Sequence, residues 1–126
     1  METYLWMPYN GAVINTKIIS MSYGQARELR AEDLPCAAAA SDLNDISINL
    51  ASSCPHLPSL MTASTNGDKI PKAVITVINK DGRGHVRNYL KFRMNNVLIS
   101  KIDISNDQTA VVAFNFDAIE LTYSPN

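Results

Sequence analysis

YLKFRMNNVLISKIDISNDQTAVVAFNFDAIELTY, residues 89–123, decides the fold class of this chain. Apolar residues recur at every second position: Leu90, Phe92 and Met94, then Leu98, Ile102 and Ile104, then Ala110, Val112, Phe114 and Phe116. A period of two places these side chains on one face of extended backbone, with Tyr89, Lys91, Arg93, Lys101 and Asp103 on the other. Asn95-Asn96 is a turn-permissive pair, and Ser-Asn-Asp-Gln at 105–108 offers a tight hairpin connection. After Asp117 the apolar set moves to odd positions, Ile119, Leu121 and Tyr123. Such a change of parity inside sheet requires a bulge or bend, the device by which barrels and sandwiches turn corners.

Working outward, residues 45–51 alternate Ile46, Ile48 and Leu50 against Asp45, Ser47 and Asn49. Residues 3–7 and 14–23 flank Asn10-Gly11, a strong hairpin dipeptide, and residues 72–79 are rich in Val and Ile before Asp81-Gly82-Arg83-Gly84. About eight strands result. One short helix is expected within residues 55–63, with Pro55 in its first turn and Leu57, Leu60 and Met61 spaced for one face. Residues 25–43 have no period for either element and read as a long loop. Loops of that length inside a domain are uncommon and often functional.

With 126 residues the chain is expected to form a single domain, 1–126, able to bury a core. Eleven Lys and Arg against twelve Asp and Glu leave a net charge of −1, so no global attraction to nucleic acid or membrane exists. No apolar run approaches the ~20 residues of a membrane span, and the start METYLWMPYNG lacks the charged and apolar regions of a cleaved signal. Cys36 and Cys54 lack metal-site spacing and are read as reduced thiols. The only histidines, His56 and His85, fall at a helix start and after a Gly-rich turn, and no nucleophile, base and orienter converge in the sequence. Asp-Gly-Arg-Gly-His joins two strands and opens no helix, so it is read as a turn and not as a phosphate cradle. No enzyme activity, cofactor or metal is expected.

Two charge clusters remain. Lys80, Arg83, Arg87, Lys91 and Arg93 surround Tyr89 on a strand, a pattern that some small barrels use for single-stranded nucleic acid; one tyrosine and a near-neutral chain argue against that use here. The loop supplies a contrasting acidic patch, Glu28, Glu32, Asp33, Asp42 and Asp45 against Arg27 and Arg30. Separate acidic and basic surfaces allow head-to-tail self-association. Arg27, Glu28, Leu29, Arg30, Glu32, Asp33 and Leu34 are therefore expected to meet Arg87, Lys91 and Arg93 of a neighbouring copy, with the leucines and alanines supplying apolar contact.

RNYLKFRMNNVLISKIDIS at 87–105, followed by AVVAFNFDAIELTYSP at 110–125, resembles the C-terminal strands of the haemolysin-coregulated protein (Hcp) family of bacterial type VI secretion systems. NVLIS at 96–100 and AFNFDAIELTY at 113–123 are similar to two blocks of that family. YLWM at 4–7, IISMSYG at 18–24, DISI at 45–48 and PHLPSLM at 55–61 extend the likeness over nearly the whole chain. The resemblance implies a bent antiparallel β-barrel or sandwich with one side helix. It also implies hexameric rings stacked into a hollow inner tube that a contracting sheath drives into a target cell. The implied partners are further copies of the chain, sheath, baseplate and spike proteins, and effectors in the lumen; nucleic acid and membrane insertion are not among them. Assembly in the bacterial cytoplasm and export without a signal peptide are likewise implied. Tube proteins of other contractile injection systems and phage-like tails share the architecture.

Overall fold

A computed structural model describes residues 2–23, 27–28, 45–80, 82–105 and 108–124. Nine strands among these residues form one antiparallel sheet. Strand β1 (Glu2–Tyr9) turns into β2 (Ala12–Ile18) through Asn10 and Gly11, whose φ of 54° and 81° are the two positive values that a two-residue hairpin of matching twist requires. The chain continues through Ile19 into β3 (Ser20–Tyr23), which pairs with the two-residue β4 (Arg27–Glu28) and with β5 (Asp45–Ala51). Two residues of the expected long loop are thus strand; residues 24–26 and 29–44 lie outside the described residues.

Helix α1 spans Leu57–Asn66, later in both its bounds than the expected 55–63. Pro58 sits in its first turn, where the missing N–H costs no hydrogen bond, while Pro55 precedes the helix. Leu57, Leu60 and Ala63 are buried; Met61, expected on the inner face, is exposed. Gly67 ends the helix at φ 66°, and the N–H groups of Gly67 and Asp68 reach the carbonyls of Ser64 and Ala63 at 3.2 and 3.1 Å. The helix packs on the long strand that follows, where the Ser64 hydroxyl donates to the Ile99 carbonyl at 3.1 Å.

Three more strands and the helix partner complete the sheet: β6 (Lys69–Lys80), β7 (Val86–Ile104), β8 (Thr109–Asn115) and β9 (Ala118–Ser124). Asn95-Asn96 is not a turn. β7 runs through it unbroken, with Asn96 at φ 53°, because β6 stays paired from Val86 to Leu98. The residue in left-handed conformation switches parity, so the inward set changes from Leu90, Phe92 and Met94 to Val97 and Ile99. A register shift against β8 between Ile99 and Lys101 restores it, leaving Ile102 half-buried and Ile104 exposed at the strand end. The bend also divides the outer edge of β7: β9 pairs with residues 89–95 and β8 with residues 98–104. The parity change after Asp117 marks this transfer from β8 to β9.

In the strand order β2-β1-β6-β7-β8-β5-β3-β4 the first strand, β2, and the next-to-last, β3, are consecutive in the chain. The chain passes from β2 into β3 through Ile19, whose N–H donates to the Asn49 carbonyl at 2.8 Å, and β2 lies against β5, so the sheet bends back on itself into a barrel. One hydrophobic core fills it, built around Leu5, Met7, Ile48, Ile75, Phe92 and Phe114, all fully buried. At 25 cal/mol per Å² of apolar surface, each large side chain there contributes on the order of 2–3 kcal/mol of burial. Ile119, Leu121 and Tyr123 cover the core from β9 as the alternation requires.

Candidate functional site: two outward faces of the barrel

With the inward positions committed to the core, the outward positions form two walls of different character. On the wall made by β2, β1, β6, β7 and β9, pairing aligns three rows of side chains. Lys17, Tyr4, Thr76, Lys91 and Thr122 form one row; Asn15, Trp6, Val74, Arg93 and Glu120 form the next; Glu2, Ile78, Tyr89 and Ser124 form the third. Its middle is aromatic and aliphatic, and Trp6 is 38% exposed. Lys91 Nζ lies 5.6 Å from the centre of the Tyr89 ring. Thr76, Ile78, Tyr89 and Lys91 line a shallow open depression of about 380 Å³.

Ion pairs hold the carboxylates of this wall. Lys80 Nζ meets Glu2 Oε2 at 2.9 Å, and the Tyr4 hydroxyl donates to the same oxygen at 3.0 Å. These two hydrogen bonds, that from Lys80 foremost, hold the Glu2 carboxyl below its ordinary pKa, and the same partner raises Lys80. Arg93 Nη1 donates to Thr122 Oγ1 at 3.0 Å and lies 3.9 Å from Glu120. Lys17, Lys72 and Lys91 have no ion pair among the described residues, so the wall keeps a positive excess.

The wall made by β3, β5, β8 and the second half of β7 has short side chains across the middle of its rows. Ser22, Ser47, Ala113 and Lys101 form one row, and Ser20, Asn49, Val111 and Asp103 the next. Asn49 Nδ2 donates to Ser20 Oγ at 2.7 Å, and within these two rows Lys101 pairs with Asp103 at 2.9 Å; Glu28 of β4 extends the first row beside Ser22, and Asp45 opens β5 opposite Asn115. Short hydroxyl, amide and methyl side chains leave this surface smooth.

Of the residues expected at a subunit contact, Lys91 and Arg93 stand side by side on the first wall, and Arg87 precedes them on β7. Arg27 and Glu28 form β4, beside the second wall. Leu29, Arg30, Glu32, Asp33 and Leu34 lie outside the described residues, as does Cys36. Tyr4, Trp6 and Lys17 were absent from the expected set, because β1 and β2 reach Lys91 only through pairings that span some seventy residues of chain. Cys54 is a free thiol 3.4 Å from the Thr16 hydroxyl. His56 is half-buried at the helix start, and no cluster of three His, Cys, Asp or Glu suited to a metal occurs among the described residues. No helix among them is long and apolar enough to cross a membrane.

Comparison with known proteins agrees with this architecture. The family described as "Type VI secretion system effector, Hcp" matches residues 15–123. No curated protein matches the chain significantly. Among solved structures, the Hcp1 protein of E. coli EAEC 042 superposes with a TM-score of 0.75 at 15% identity, covering 98% of this chain and 92% of that one. Secreted protein Hcp3 of Pseudomonas aeruginosa gives 0.68 at 12% identity, covering 96% and 91%. The flavin reductase PheA2 gives 0.53 at 7% identity, covering 99% and 88%, so a related barrel also serves a different chemistry. The match of the family pattern over most of the sequence, on a closed barrel of the same fold, establishes that the chain belongs to the Hcp family of type VI secretion proteins.

Proposed function

We propose that this chain is the structural subunit of a type VI secretion inner tube, acting without catalysis. Six copies close into a ring, rings stack, and the wall of β3, β5, β8 and β7 faces the lumen. The carrying observation is the middle of that wall: two rows of Ser, Asn, Ala and Val, with Lys101 and Asp103 paired to each other, offer passing cargo short side chains and no deep pocket. Family membership supports the tube reading. Ring closure would also cover strand edges that otherwise invite uncontrolled pairing. The same reading makes sheath, baseplate and spike proteins its partners, effectors its cargo, the bacterial cytoplasm its site of assembly, and export the fate of the assembled ring.

The test is mass in solution by light scattering. A ring of six 13.9-kDa chains is expected at high protein concentration and moderate salt. A strictly monomeric mass under those conditions overturns the proposal.

A further inference from the structure

We infer that Asn10 is a site of spontaneous covalent modification: its side-chain amide is lost through attack by the backbone nitrogen of Gly11, leaving a carboxylate at the tip of the β1–β2 hairpin. The inference stands apart from the tube reading and concerns this hairpin alone. The sequence holds two Asn-Gly pairs, Asn10-Gly11 and Asn66-Gly67. A glycine after asparagine leaves the attacking nitrogen without a side chain beside it, so in sequence the two pairs are equivalent. Access does not divide them either. All four residues are exposed, and at both glycines nothing lies within 4 Å of the place a Cβ would take.

Hydrogen bonding does divide them. Asn10 and Gly11 are the whole loop of the hairpin, and Tyr9 and Ala12 pair across its base. That pairing leaves the Gly11 N–H and the Asn10 side chain without a hydrogen bond among the described residues. At the second pair the Gly67 N–H donates to the Ser64 carbonyl at 3.2 Å as part of the helix cap, so attack there requires the cap to open first. The Asn66 amide is engaged as well, by the Tyr9 hydroxyl.

The reaction needs only water and a solvent base. The Gly11 nitrogen gives up its proton and bonds to Cγ of Asn10; the Cγ–Nδ2 bond breaks, and the amide nitrogen takes up a proton and leaves as ammonia. The product is a five-membered succinimide. Water opens the ring at either carbonyl carbon. Opening at Cγ leaves aspartate at position 10, which tolerates the φ of 54° and suits the same two-residue loop. Opening at the backbone carbonyl carbon leaves isoaspartate, which routes the chain through the side-chain carbons and inserts one methylene into the loop. A lengthened loop no longer matches the pairing of Tyr9 with Ala12, and Tyr9 is the residue whose hydroxyl is tied to Asp68.

The test incubates the full-length chain in mildly alkaline buffer, with and without denaturing urea, and follows both pairs by peptide mass spectrometry. Fragmentation locates the mass gained when NH is exchanged for O. In the folded protein Asn10 is expected to convert at least about tenfold faster than Asn66, whose glycine N–H must first be released, and urea is expected to bring the two rates together. The Asn10→Asp variant serves as the reference for the aspartate product and should keep the urea midpoint of the parent. The isoaspartate form, recognised by enzymatic methylation of its carboxylate and separated by ion exchange, should show a lower midpoint. Equal rates at the two pairs in the folded protein, or faster loss at Asn66, overturn the inference. So does an Asn10 that stays intact in the folded protein while it converts in urea.

Discussion

Single residues hold the ends of this barrel together through contacts between distant parts of the chain. The Tyr9 hydroxyl donates to Asp68 Oδ2 at 2.7 Å, tying the first hairpin to the residue that follows the helix cap. This hydrogen bond to a carboxylate raises the Tyr9 pKa above its ordinary value of 10.0. A raised pKa in the folded state means that the contribution is complete below the unfolded value and is lost as pH rises through the folded one. Tyr9→Phe is therefore expected to lower stability at neutral pH and to flatten its decline above about pH 10. Urea midpoints measured across that range would check it; parallel alkaline declines in parent and variant would refute it. Nothing in the sequence near Tyr9 announces this bond, since Asp68 lies 59 positions away. The same holds for the Trp6 wall. Its basic strand was legible from the spacing of Lys91 and Arg93, but its aromatic centre exists only once β1 has paired with β6.

At the scale of elements, local alternation was enough to find β5 to the residue and the inward face of β8, though that strand ends at Asn115, before the expected Phe116; it also found the Asn10-Gly11 hairpin and the bend after Asp117. It failed at Asn95-Asn96 for a physical reason. Asparagine tolerates the left-handed region both in turns and in bulges, and what separates the two is whether a neighbouring strand continues. Here β6 does continue, so Asn96 becomes a pivot inside one long strand and lets β7 serve both walls of the barrel. Replacing Asn96 by Val, a β-branched residue at φ 53°, should cost about 1–2 kcal/mol, while Asn96→Gly should be close to neutral. Thermal or urea denaturation distinguishes the two variants. Equal stability of both would mean that the pivot is not strained, and that the parity switch is held by the pairing of β6 alone.

For the whole molecule, the tube proposal turns the wall of β3, β5, β8 and β7 inward, and that choice can be tested with a new charge. On that wall, Ser47 stands between Ser22 and Ala113, half-buried by its neighbours and without a charged side chain directly opposite. A lysine there keeps its flexible stem on the sheet and its ammonium in whatever medium the wall faces. If that medium is the water of a lumen, the six ammonium groups of a ring stay hydrated and are largely screened from one another once they lie beyond a Debye length of about 8–10 Å. Assembly should then survive, and the mass by light scattering should match the parent. If the wall instead packs against a neighbouring copy, the substitution buries an unpaired charge, which costs several kcal/mol per ion and is repeated at every contact of the ring. Ser47→Lys is thus expected to fold and to form rings like the parent, with its added charge visible as altered retention on an ion exchanger only to the extent that the lumen admits the matrix. Loss of the ring with the monomer still folded, by circular dichroism and Trp6 emission, would move the lumen away from this wall.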